Sequence, residues 1–147
     1  MQIRLAKNSE ITTLSQLDHE ASLTPWSTDN YLSSLNNHNH FIYVLLESGT
    51  IIGCLIVSKS LDEAEILQFW ICPRHRRKGL GCHLLDFVLQ WLRNKHRVNL
   101  VFLEVREGNQ QAINLYLKLG FSQVGQRKNY YKVDNWQFDA LIMQKYL

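Results

Sequence analysis

At 147 residues, of which 46% are hydrophobic and 20% charged, the chain is long enough to bury a core and too apolar to be disordered. A net charge of +3 is mild for a dedicated nucleic-acid binder, so that class survives only through local clustering of basic residues. Cys54, Cys72 and Cys82 form no C-x-x-C pair, the opening MQIRLAKNSEI lacks a signal-peptide core, and no apolar run approaches membrane-spanning length, so a reduced, cytoplasmic chain is expected.

In chain order, IRLA alternates weakly and reads as a strand. From Ser9, the spacing of Ile11, Leu14, Leu17 and Asp18 predicts a helix capped by Asn8 or Ser9. PWS at 25–27 leads into a second short helix through Tyr31, Leu32 and Leu35. FIYVLLE, IIGCLIVSKS and EILQFWI then read as an antiparallel meander, turning at Ser48-Gly49 and around Leu61-Asp62. Leu84, Leu85, Val88, Leu89, Trp91 and Leu92 place an amphipathic helix over about 82–95. VNLVFLEV reads as a buried strand, Asn109 as the cap of a helix carrying Ala112, Ile113, Tyr116 and Leu119, and Gly120 as its stop. Two strands near 122–126 and 138–144 complete an α+β domain with a mixed sheet. With no repeat and no low-complexity linker, a single domain over 1–147 is expected.

PRHRRKGLGC, at 73–82, is the most informative stretch. It reads strand, short turn, Arg76-x-x-Gly79-x-Gly81, helix. Amides in the first turn of a helix lack intrahelical partners, and the macrodipole favours negative charge there. Glycines let the backbone approach a bulky anion, so a pyrophosphate fits. The P-loop pattern G-x-x-x-x-G-K-[ST] is absent, and a Rossmann turn needs a third glycine that Gly79-Leu80-Gly81-Cys82-His83-Leu84 lacks.

This turn in its setting resembles the GNAT N-acetyltransferases, whose acetyl-coenzyme A signature is Q/R-x-x-G-x-G/A after a strand. The resemblance spans almost the whole chain. It implies a mixed, mostly antiparallel sheet flanked by helices and splayed where the thioester enters, with acetyl-CoA as co-substrate. It places the pyrophosphate on the turn of Arg76, Arg77, Lys78, Gly79, Leu80, Gly81 and Cys82, and the pantetheine arm along Phe69, Trp70 and Ile71, with a further contact from Asn109. PWS at 25–27, LDEA at 61–64, LEVR at 103–106, N-x-x-A-x-x-L-Y-x-x-L-G-F over 109–121 and R-x-N-Y-Y at 127–131 form an ordered set. That set is similar to the branch of the family that acetylates the N-terminal alanine of a small-subunit ribosomal protein, the eighteenth. Two positions depart from it: Phe138 stands where an acidic residue is expected, and Cys72 where a polar one is common.

Glu104 interrupts an apolar strand, and a desolvated carboxylate there acquires the raised pKa of a general base; alternatively it is a structural charge paired with Arg106 or a lysine. Tyr116 is either a core aromatic or, with a phenol titrating near ~10, a donor to a departing thiolate. The resemblance favours base and acid, respectively. An α-amine titrating near ~7.7–8.0 is roughly a tenth neutral at pH 7, against well under a thousandth for lysine, so a chain terminus needs only a modest base. Trp26 and Tyr131 line the acceptor groove in this reading, and Tyr130 either joins them or covers the sheet edge. The six histidines form no metal set, and Cys82 is a passive small residue. The expected partner is the N-terminus of a ribosomal protein, with no direct nucleic-acid or membrane contact, and the chain is expected to be a monomer. The competing readings are a lysine or small-amine acetyltransferase and an RNA- or ribosome-binding module using the basic stretch 74–78.

Overall fold

The computed structural model describes all residues, 1–147. Seven strands form one sheet: β1 (Gln2–Leu5), β2 (His40–Glu47), β3 (Thr50–Ser60), β4 (Glu63–Ile71), β5 (Leu100–Arg106), β6 (Ser122–Val133) and β7 (Trp136–Tyr146), in spatial order β1-β2-β3-β4-β5-β7-β6. Only the β4–β5 pair is parallel, joined by a crossover through helix α3 (Leu80–His96); every other pair is antiparallel. Helices α1 (Ile11–Ala21) and α2 (Thr28–Leu35) cover one face, while α3 and α4 (Gln110–Lys118) cover the other. No helix is long and apolar enough to cross a membrane.

Period-2 alternation sorts the β4 and β5 side chains between the two layers. Val101, Leu103 and Val105 enter the core under α3 and α4, together with Leu84, Leu85, Val88 and Leu92. Trp70 enters the opposite core, with Ile11, Leu14 and Tyr31 of the first two helices. The central strands β2 and β3 are buried on both faces, which is why their sequences are nearly unbroken apolar runs.

Several boundaries differ from expectation. The first helix begins with a 3-10 turn, Asn8–Glu10, held by Glu10 accepting from the Lys7 amide at 2.8 Å, so neither Asn8 nor Ser9 is the cap. Helix α3 begins at Leu80, immediately after the glycine turn, rather than near 82. The last hairpin is much longer than the apolar pattern implied, because most of β6 is exposed and carries no alternation to read. Tyr130 and Tyr131 therefore lie within a strand.

The feature that makes a site is the divergence of β4 from β5. They pair only from Glu63 opposite Leu100 to Ile66 opposite Leu103. At that point β4 carries a bulge: Ile66 faces Val57 and Gln68 faces Ile56, leaving Leu67 without an opposite number on β3. A bulge bends its strand and increases its twist. Beyond it β4 remains on β3 and β5 remains on β7, so the sheet opens between them.

Candidate active site

The opening is a cavity of about 1030 Å³ lined by the free side of β4, the turn at 75–82, β5, α4 and Tyr130 and Tyr131. Leu67 to Ile71 present a backbone edge with no partner strand on the β5 side, an edge able to hydrogen-bond an extended amide-containing chain. Phe69 faces the cavity and packs against Tyr116, centroids 6.4 Å apart. The Trp70 ring is directed into the other core, where Nε1 donates to the Tyr31 hydroxyl at 2.9 Å; Trp70 can offer this edge its backbone, not its ring.

At one end of that edge lies the glycine turn. Gly79 has φ +77° and Arg77 has φ +63°, so the chain passes twice through left-handed conformations before α3 begins. The first bond of the helix ladder runs from the His83 amide to the Gly79 carbonyl at 3.0 Å. The amides of Leu80, Gly81 and Cys82 thus precede the ladder and emerge from the positive end of the macrodipole. Gly81 serves differently: a Cβ there would meet Leu115 Cδ2 at 3.4 Å and Phe69 Cζ at 3.6 Å, ordinary contact in a snug packing position.

The basic stretch is not a single patch. The Arg76 guanidinium turns inward, donating to the Ile71 carbonyl at 3.0 Å and the Ala21 carbonyl at 2.6 Å. It ties the end of β4 to the end of α1, leaving only its backbone for an anion. His75 Nδ1 lies 3.3 Å from Glu47 Oε2, while Arg74, Arg77 and Lys78 are exposed. The run therefore does not present one continuous face of basic side chains.

Tyr116, Asn109 and Glu104 line the cavity from α4 and β5. Tyr116 is buried against Phe69 and Phe121, and burial, followed by the neighbouring Tyr131, raises its phenol above the usual range. It is neutral at any working pH and can only donate its proton. Asn109 caps α4, its side-chain oxygen accepting from the Ala112 amide at 3.3 Å, as expected. Glu104 points to the opposite sheet face from Leu103 and Val105, and its Oε1 accepts from Arg127 Nη1 at 2.6 Å. The partner anticipated from sequence, Arg106, instead lies over the Phe138 ring at 5.1 Å. Arg127 comes from a strand 23 residues away, and no local spacing announces that contact.

Arg127 and the tyrosines are delivered by a second irregularity. Between the pairs Arg127–Ala140 and Tyr131–Phe138, residues Lys128, Asn129 and Tyr130 stand opposite Asp139 alone. The Asp139 carboxylate holds this bulge by accepting from the Asn129 amide at 2.9 Å and from Gln126 Nε2 at 2.5 Å. Tyr131 then donates to the Glu104 carbonyl at 3.3 Å, and its phenol is pushed up to about 12, chiefly by burial and then by the charge of Glu104. Arg127 lies over the Tyr130 ring at 4.5 Å.

The remaining wall is the segment from Ser22 to Trp26. It hangs on Asp18, a fully buried carboxylate that accepts from the Tyr31 hydroxyl at 2.6 Å, the Trp26 amide at 3.1 Å and Gln68 Nε2 at 3.0 Å. Gln68 follows the β4 bulge, so Asp18 fastens the segment to the strand where it begins to splay. The sequence reading placed Asp18 on a helix face but missed this role. An aspartate at a core-facing helical position was the available signal.

A family model described as the acetyltransferase (GNAT) family matches residues 9–121. The [ribosomal protein bS18]-alanine N-acetyltransferase of Escherichia coli strain K12 is 31% identical over 137 residues, 93% of this chain and 91% of that protein. The Haemophilus influenzae protein of the same name is 37% identical over 138 residues, 91% and 90% of the two chains. The crystal structure of the ribosomal-protein-S18-alanine N-acetyltransferase from Escherichia coli matches with a TM-score of 0.92 at 30% identity, over 99% of this chain and 92% of that one.

Proposed function

The chain belongs to the acetyltransferase (GNAT) family, and on that premise we propose that it moves the acetyl group of acetyl-CoA to the α-amine of a protein, the N-terminal alanine of ribosomal protein S18. The observation that carries this reading is the single unpaired edge of β4. It leads from the free amides of α3 to the Glu104 and Tyr116 side chains inside one cavity. The fit is chemical as well as spatial: anion-seeking amides at one end, strand-like hydrogen bonding between, and a proton acceptor and proton donor at the other.

When bound, acetyl-CoA supplies an activated thioester. The amides of Leu80, Gly81 and Cys82 hold its pyrophosphate, and the β4 edge aligns its arm. Glu104, directly or through water, takes a proton from the acceptor ammonium; the freed nitrogen forms the new N–C bond as the C–S bond breaks. Tyr116 gives its proton to the departing sulfur and is reprotonated by the second proton the nitrogen loses as it becomes an amide, while the proton on Glu104 passes to solvent. Burial, by raising the phenol, makes Tyr116 a reluctant acid that transfers its proton only as negative charge develops on sulfur. Trp26 and Tyr131 wall the acceptor side, and Asn109, beyond capping α4, contacts the coenzyme arm.

The test is thiol release from acetyl-CoA with a peptide beginning in alanine, beside the same peptide with its terminus blocked and a lysine left free. Release is expected from the first and near-background release from the second. The reverse order would make the enzyme a lysine acetyltransferase.

A further inference from the structure

The Glu104 carboxylate is occupied by a cation of the chain itself. Its Oε1 already accepts from Arg127 Nη1 at 2.6 Å, the charge-assisted contact that an incoming ammonium would need. Arg127 must let go, and it needs somewhere to go.

The register of the sheet provides the place. Glu65 on β4 lies directly across the parallel ladder from Phe102, two residues before Glu104. Directly paired residues, and residues two apart along a strand, share a face. Glu65 and Glu104 therefore emerge from the same side of the sheet, on adjacent strands, into the same cavity as Tyr130 and Tyr131. The Glu65 carboxyl registers this proximity: it is raised by burial and then by the charge of Glu104, and drawn down by Arg127. The groups around Glu65 are thus Glu104 from β5 and Arg127, Tyr130 and Tyr131 from β6; its neighbour across β3, Ser58, carries no charge.

We propose that Glu65 is a positioning residue of the acceptor site, receiving the Arg127 guanidinium from Glu104 when an α-ammonium arrives and so releasing Glu104 to act as the base. The counting of charges supports it. Two carboxylates facing one guanidinium leave a single negative charge, the complement of one incoming ammonium. With the acceptor on Glu104 and Arg127 on Glu65, each cation has its own carboxylate. Without Glu65, both cations compete for Glu104. The inference rests on the acetyl-transfer reading above.

Steady-state kinetics with acetyl-CoA and an alanine-terminated peptide test it, using wild type, Glu65→Gln, Glu65→Asp, Arg127→Met and the double variant Glu65→Gln/Arg127→Met. Glu65→Gln is expected to lower kcat about tenfold, as Arg127 stays on Glu104 and competes with the acceptor ammonium, with the KM for acetyl-CoA unchanged. Glu65→Asp, which keeps the charge, is expected to retain most of the turnover. The decisive result is the double variant: with no guanidinium left to lock Glu104, kcat recovers to within about threefold of wild type, a strong coupling between contacting sites. A merely structural Glu65 would make the losses add. Additive losses, a Glu65→Gln kcat within twofold of wild type, or an Asp variant as slow as the Gln variant would each overturn the proposal. Failure of the wild type to acetylate the peptide would instead overturn the acetyl-transfer reading itself.

Discussion

The roles proposed for Tyr116 and Glu104 are separable, and single substitutions should separate them. Tyr116→Phe removes one hydroxyl from a buried ring that otherwise packs on Phe69 and Phe121. It is expected to lower kcat by about 10²-fold, the usual contribution of a positioned acid, with coenzyme affinity nearly unchanged by calorimetry. A kcat within a few-fold of wild type would reduce Tyr116 to a core aromatic. Far from the cavity, Glu10 gives a pH-dependent prediction. The Arg4 guanidinium, hydrogen-bonded to Glu10 at 2.8 and 2.9 Å, holds its carboxyl at about 2 against an ordinary value of 4.5. A depressed carboxylate contributes stability that is present above its unfolded pKa and lost as the pH falls through its folded one. Acid unfolding should therefore show a component between about pH 4.5 and 2 that disappears in Glu10→Gln, leaving stability at pH 7 reduced and flatter on the acid side. At this scale the sequence, through its family resemblance, singled out Glu104 and Tyr116 but not their neighbours. Glu104 and Tyr116 stand inside readable patterns, whereas Arg127 and Glu65 are brought beside Glu104 by strand pairing, which no local spacing encodes.

Among the elements, the first turn of α3 offers the sharpest contrast. Gly79 and Gly81 look equivalent in the sequence and are not equivalent in the fold. Gly79 sits at φ +77°, where a Cβ costs on the order of 1–2 kcal/mol, although nothing crowds it. Gly81 has helical geometry and only ordinary contacts awaiting a Cβ, and alanine is intrinsically about 1 kcal/mol better in a helix. Gly79→Ala is expected to destabilise the chain and weaken acetyl-CoA binding about tenfold or more, while Gly81→Ala leaves both near wild type. Thermal melts with and without the coenzyme would show this, and equal effects at the two positions would contradict it. The cavity wall formed by residues 22–26 depends on a different device. Asp18→Ala would leave the Tyr31 hydroxyl, the Trp26 amide and the Gln68 amide without their acceptor, at a cost of about 2–4 kcal/mol in denaturant unfolding. Helices and central strands were legible because burial imposes period 3.6 or continuous apolarity. The final hairpin was not, since β6 is an exposed edge whose course is set by the Asp139 bulge rather than by a buried face.

For the whole molecule, the site is a property of the sheet. A bulge at Leu67 and a four-pair parallel ladder leave β4 and β5 diverging, and the cavity between them receives the glycine turn from one end and the last hairpin from the other. The order of elements made a mixed sheet readable in advance; the divergence itself entered only through family resemblance, because bulges and register shifts arise between strands. The same geometry divides the basic run at 74–78. Its central arginine is spent on joining β4 to α1, and the backbone behind it faces the cavity.

The central claim is a reaction at one atom, and mass spectrometry can locate that atom. The protein would be incubated with acetyl-CoA and unacetylated small-subunit ribosomal proteins, and the products digested and mapped. The expected result is one acetyl group on the α-nitrogen of the N-terminal alanine of S18, abolished or greatly slowed in Glu104→Gln and Tyr116→Phe. Acetate found only on lysine side chains, or α-amine acetylation at full rate in both variants, would contradict it.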